Sequence, residues 1–416
     1  MSSSIKNIDL KYSYDKYGNL AEMIIFSITR LLYNVFFIFA TLFTKALTEK
    51  ANLKQLIESP HPHECSPKET YSFSKEILFT KNSLPHLYDK STSVQKFNNY
   101  LENFFASNNS VTRKEWDLAL PTSDERQEMK QLINYLYGLY TFNEIQSNAI
   151  LNSFPKLQKW VNLTFIEGKY CIIHEIIPSG CRFPRFWGYT ALCARKYALK
   201  PNLHHSASHF ESDGDVCNEA ATIFESTGSR SLVVAGANRY AVRGDNPSSC
   251  QPSYQIADAS HNNDPMFFTM NVAVHDAAKQ HASKNSLPFN DTFIEWHGMA
   301  ETSCLSAPIF ISAGVHGNHF IYGDKNSTVN RIRDSVNKNF GSTSSAQTPH
   351  TDESCKLIAS SNVFGRYVNS VPESDVCTIE AKIRDIHSQF VHIEQKHNAR
   401  CSWDLWVKSI NDAFPI

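Results

Sequence analysis

Short apolar runs broken by single polar residues organise the second half of the chain. Residues 231–235 read SLVVA, 292–296 read TFIEW, 390–393 read FVHI, and from Lys169 the chain reads KYCIIHEII. Runs of this length and composition, bounded by glycine or polar clusters, predict buried strands. Other stretches repeat at helical spacing. Met129, Leu132, Ile133, Leu136 and Leu139 share one face within 124–140, and Phe267, Met270, Val274 and Ala277 share one from 266 on. Residues 94–107 and 213–225 also read as helices. Strands interleaved with helices predict an α/β fold, a mixed sheet flanked by helices (phosphorylase/hydrolase-like), with an α-helical N-terminal extension. The expected organisation is an N-terminal segment (1–50), a helical spacer or lid (51–160) and an α/β metallohydrolase-like domain (161–416). Residues 341–356, GSTSSAQTPHTDESCK, are polar and read as an exposed insertion.

Residues 23–47, MIIFSITRLLYNVFFIFATLFTKAL, form an apolar segment long enough to span a bilayer, although Arg30, Asn34 and Lys45 interrupt it. This predicts a membrane-associating helix, as a tilted span, an uncleaved signal anchor or an interfacial helix.

In open α/β sheets the ligand crevice lies beyond the carboxyl ends of the strands, and here those ends deliver chemistry. SLVVAGA is followed by Asn238 and Arg239, TFIEW by His297, FVHI by Glu394, and an earlier segment, SASHFESDGD, holds His209. A histidine, a carboxylate a few residues away and a distant histidine make a three-ligand catalytic zinc pattern with one open position. His209 and His297 supply the imidazoles, and Asp213 or Glu211 the carboxylate; Asp213 is preferred because it falls at a strand-to-helix turn. Glu394 is then a candidate general base and Arg239 a catalytic and carboxylate-binding group. Each has a structural alternative: a hydrogen-bonded core histidine, an exposed strand-end glutamate, or an ion pair of Arg239 with Asp245 or Asp258. The stretch DASHNND holds Asp258, His261, Asn262 and Asp264, and reads as a turn and helix cap with His261 as a reserve ligand.

The order of these motifs resembles that of the zinc carboxypeptidase superfamily, including its N-formylglutamate amidohydrolase-like and phage poly-γ-glutamate hydrolase-like members. The resemblance covers roughly residues 200–400. It implies one zinc ion on His209, Asp213 or Glu211, and His297, catalysis by Glu394, and a substrate carboxylate gripped by Asn238 and Arg239, with Arg366 as a further substrate-binding residue. It also implies a hydrolase that cleaves an amide or peptide bond in a small peptide or N-acyl amino acid. The chain departs from the pattern in its first motif, HFESD rather than His-x-x-Glu, which leaves the acidic ligand open.

Other readings use other residues. Gly317-Asn318-His319 is similar to a fragment of two-metal phosphoesterases, Cys304 follows His297 closely enough to suggest a thiol nucleophile, and a non-catalytic membrane-tethered binding domain could keep the same fold. With 40 basic and 41 acidic residues the net charge is −1, so bulk electrostatics give nucleic acid no purchase. Ten cysteines, nine of them from Cys171 onward, fit disulfides, and with the apolar segment they predict a membrane-associated protein whose catalytic domain lies in an oxidising extracytoplasmic compartment.

Overall fold

A computed structural model describes residues 93–142, 147–178, 182–341 and 344–416. The apolar segment at 23–47 lies outside them, as does most of the N-terminal extension. No helix among the described residues is long and apolar enough to cross a membrane, which corrects the expectation of a transmembrane helix. The longest helix introduced below carries Asn271, His275, Asp276 and Lys279 along its 19 residues, and these polar groups disqualify it as a span.

Nine strands form one mixed sheet: β1 (Val161–Ile166), β2 (Tyr170–Glu175), β3 (Tyr189–Cys193), β4 (Lys200–Ala207), β5 (Ser229–Val234), β6 (Thr292–Gly298), β7 (Ile309–Ser312), β8 (Ala346–Gln347) and β9 (Phe390–Gln395). Their spatial order is β1-β2-β3-β5-β4-β6-β9-β7-β8. The four central strands, β5, β4, β6 and β9, run parallel, whereas β1, β2 and β3 join them as an antiparallel meander and β7 returns antiparallel on β9. From β4 the chain moves to one neighbour, β5, and later returns to the other, β6. That reversal opens a crevice at the carboxyl edge between β4 and β6.

Helices cover both faces, as the interleaved pattern predicted. One core gathers residues of α1 (Val94–Glu102), α4 (Val216–Thr227), α6 (Thr328–Phe340) and α8 (Trp403–Ala413). The other gathers residues of α3 (Ser123–Gly138), α5 (Met266–Lys284) and α7 (Val363–Val368). Side-chain alternation sorts the strands between them: Leu232 and Val234 enter the first core, Val233 the second. α2 (Arg113–Ala119) and α3 each begin at a capping box, Thr112 with Glu115 and Thr122 with Glu125. Glu125 also takes a buried bidentate pair from Arg185, at 3.0 and 2.9 Å. That pair fixes α3 to the segment entering β3.

Residues 344–356 are only in part an exposed loop. β8 pairs with β7, and Thr348, Asp352 and Cys355 are buried, because the polar side chains bond one another and the backbone, as Ser354 and Ser306 do with Asp352. Two disulfides join described residues, Cys250–Cys377 and Cys304–Cys355, consistent with an oxidising compartment. With Cys304 oxidised, the thiol-nucleophile reading has no thiol. Cys171, Cys193 and Cys217 are free and buried.

Candidate metal centre

The segment leaving β4 folds back at once. Asp213 N donates to the His209 carbonyl and Gly214 N to that of Glu211, so His209 and Asp213 fall on the same side of a tight turn ahead of α4. The end of β6 meets this turn at Gly298, where a Cβ would sit 2.3 Å from the Asp213 carbonyl oxygen. Only glycine permits that approach, and the Gly298 amide uses it to donate to Asp213 Oδ2 at 3.2 Å.

Three atoms converge there. His209 Nδ1 lies 3.0 Å from Asp213 Oδ2, His297 Nδ1 lies 3.1 Å from the same oxygen, and the two Nδ1 atoms are 3.1 Å apart. Tetrahedral ligands about 2.05 Å from a zinc ion are separated by about 3.3 Å. The triangle therefore has the size of one face of such a site. The far nitrogen of each imidazole meets a buried carboxylate: His209 Nε2 is 2.9 Å from Asp258 Oδ1, and His297 Nε2 is 3.1 Å from Glu295 Oε1. This arrangement places the proton of each ring on Nε2 and leaves Nδ1 as the acceptor atom that could ligate. Glu295 is itself held by Ser260 Oγ at 2.7 Å and Asn362 Nδ2 at 3.1 Å. Asp258 Oδ1 also takes His261 Nδ1 at 3.0 Å, and the His261 ring stacks on Tyr254. By geometry and donor type, these residues fit a divalent cation.

The electrostatics are those of a tightly packed mixed-charge cluster. Burial and Arg239 oppose a charge on His209, but Asp213 and Asp258 outweigh them and raise its pKa. Against burial, hydrogen bonds to the Asp213 and Glu295 carboxylates bring His297 up to about 10. Burial disfavours the Asp213 carboxylate, yet Arg239 and His209 hold it well below its ordinary value. Glu394 differs: burial, only partly offset by His297, pushes it up to about 7.

Arg239 reaches the same cluster from beyond β5. One terminal nitrogen contacts Asp213 Oδ1 and lies 2.6 Å from His209 Nδ1, while Nε donates to Ser212 Oγ at 3.2 Å. Its ion-pair partner is thus Asp213 rather than Asp245 or Asp258. Its other terminal nitrogen, NH1, makes no protein hydrogen bond among the described residues. Asn238 and Glu211 form the rim instead of the triangle: Asn238 Nδ2 and the Asn108 amide both donate to Glu211 Oε2 at 3.1 Å. Glu211 has φ 64, and its carboxylate meets those two donors rather than His209. Glu394, on β9, stands beside its register partner His297 on β6. Arg366 is elsewhere, its guanidinium bonded to the carbonyls of Ser360, Val376 and Cys377. His319 Nδ1 accepts from the Ile321 amide and its Nε2 donates to the distant Ile383 carbonyl, which accounts for the Gly-Asn-His fragment structurally.

Three residues of the cluster were not singled out for it by sequence reasoning: Glu295, His392 and, as a carboxylate partner of His209, Asp258. Two of them carried a signal. Glu295 and His297, like His392 and Glu394, are two apart in otherwise apolar strands, and period-two spacing places each pair on one face.

The class that fold and site define is an α/β protein with a His/Asp group able to hold a metal ion at the carboxyl edge of its parallel strands. No family model matches the chain, and no curated protein matches it. Among solved structures, the chain is similar to a candidate carboxypeptidase A from Shewanella denitrificans OS-217, at 9% identity and a TM-score of 0.27, over 62% of this chain and 78% of that one.

Proposed function

We propose that the protein is a zinc-dependent hydrolase of an amide or peptide bond in a carboxylate-bearing substrate, such as a small peptide or N-acyl amino acid. The observation that supports this reading is the triangle of His209, Asp213 and His297 with a carboxylate behind each imidazole. A zinc ion held there supplies a Lewis acid that polarises a carbonyl and acidifies water. Glu394 flanks that position with a pKa near 7, which suits a group that takes a proton from the attacking water and returns it to the leaving amine. Arg239 keeps Asp213 in register through one terminal nitrogen and offers NH1 to the substrate carboxylate. Asn238 and Glu211 shape the rim that the substrate passes.

The test is zinc content together with hydrolysis of short peptides and N-acyl amino acids. Glu394→Gln abolishes turnover with zinc retained, whereas His209→Ala with His297→Ala loses both. Full zinc stoichiometry in the double variant sinks the assignment.

A further inference from the structure

One buried cation takes no part in the hydrolysis proposed above. Arg230 is the second residue of β5, at the amino end of the parallel strands and so at the edge of the sheet away from the metal centre. It is 1% exposed. Its Nη2 donates to the Tyr137 carbonyl, and the guanidinium carbon lies 4.1 Å from the Tyr137 ring centroid, whereas Nη1 is buried with no hydrogen-bond partner. A buried guanidinium is ordinarily matched by a carboxylate, and Arg230 pairs with none among the described residues. The acids that act on it are the Tyr137 phenol and the Cys193 thiol. Burial raises the pKa of both, that of Cys193 to about 11, so both are neutral at pH 7. Asp291, the carboxylate that bears on Tyr137 and His281, is bonded to His204 at 3.0 Å. Further positive charge gathers at the same place. Arg195 Nη1 donates to the Gly138 carbonyl at 3.5 Å, one residue beyond the carbonyl that holds Arg230, and the His281 ring stands edge-on to Tyr137 with centroids 6.2 Å apart. These carbonyls end α3, and a helix C-terminus carries only about half a negative charge, less than two guanidiniums bring.

We propose that Arg230, Arg195 and His281 enclose a binding site for a small monovalent anion of the chloride type at the end of α3. Arg230 Nη1 supplies the buried N–H, while Arg195, which is exposed, and His281, which is partly exposed, form the mouth. With Nη2 committed to the Tyr137 carbonyl, the guanidinium does not present its two parallel N–H groups to a carboxylate or phosphate, and a spherical ion needs only one. Entry of the anion turns a lone buried charge into an ion pair, so it stabilises the folded chain and not the unfolded one.

Thermal unfolding of the full chain at constant ionic strength, with gluconate replaced stepwise by chloride, reads this site without reference to zinc or turnover. The expected result is a midpoint that rises with chloride, by an equal increment for each tenfold step once the site is more than half filled, and bromide reproduces it. Arg230→Met loses the response and, having shed an uncompensated buried charge, is no less stable than the wild type when chloride is absent. Arg195→Gln, at an exposed position that leaves the fold intact, shifts the half-response to higher chloride. A wild-type midpoint indifferent to chloride overturns the site, and so does a response that both variants leave unchanged, which would put the ion elsewhere. Neither outcome bears on the zinc content that tests the hydrolase reading.

Discussion

His205 sits in β4, two residues before the chain leaves for the metal centre, and it makes acid stability testable at one atom. Trp296 Nε1 donates to His205 Nδ1 at 3.0 Å, and His205 Nε2 meets Ser229 Oγ at 2.9 Å. Protonating the ring would place an N–H on Nδ1 facing the indole N–H, inside a site that is 2% exposed. Burial, with a smaller contribution from His204, accordingly depresses its pKa from 6.5 to about 3. The unfolded chain binds the extra proton between those values, so this contribution to stability is present at neutral pH and is lost as pH falls from 6.5 towards 3. The loss amounts to on the order of 3 kcal/mol between about pH 7.5 and about pH 4.5, towards a limit of about 5 kcal/mol below pH 3. Glu175, which burial raises to about 7, titrates in the opposite sense, so net stability alone is not diagnostic. The diagnostic quantity is the difference between wild type and His205→Asn, whose Oδ1 can still accept from Trp296 but does not titrate. Urea unfolding at both pH values should show the variant less stable at pH 7.5 and the gap narrowing by about 3 kcal/mol at pH 4.5. An unchanged gap refutes the argument that the indole excludes the proton.

Removing either supporting carboxylate, by Asp258→Asn or Glu295→Gln, should weaken zinc binding by about 10–100-fold while the ligand triangle itself persists; chelator competition measures it, and unaltered affinity would show that the imidazoles are held by other means. Replacing Cys250 and Cys377 with serine opens a bridge between residues 127 apart and, on loop-closure entropy, should cost about 5 kcal/mol, read as a lower denaturation midpoint. The same change at Cys304 and Cys355, 51 residues apart, should cost about 4 kcal/mol, so the two variants should rank in that order.

Fold class was readable because the strands that build the sheet are apolar on both faces and interrupt helical periodicity clearly. TFIEW and FVHI lie within observed strands and SLVVA does so up to Val234, and the helix predicted from 266 runs from Met266 to Lys284. The positions that meet at the carboxyl edge were readable in part for a related reason: Arg239, His297 and Glu394 each follow or end an apolar run, whereas His209 follows the polar stretch LHHSAS. Arg366 carried no such context, and a guanidinium can satisfy itself on three carbonyls as readily as on a substrate. Residues 344–356 misled in part because polarity was taken for exposure, whereas Thr348 and Asp352 bury while bonded to Thr351, Ser354 and Ser306. Glu295 and His392 were overlooked because attention fell on the residues at the ends of TFIEW and FVHI, whereas a polar side chain inside such a run signals a face and not an end.

Placing the metal triangle at a switch point also sets when it can form during folding. His209 and His297 meet across 88 residues of sequence, and His209 and Asp258 across 49, so no short segment of the chain contains the site. Parallel pairing of β4 with β6 must precede it, and such non-local pairing is slow because loop entropy is lost before contacts form. Zinc added to a refolding chain should therefore bind late, making ion uptake a clock for completion of the central sheet rather than a nucleus for it.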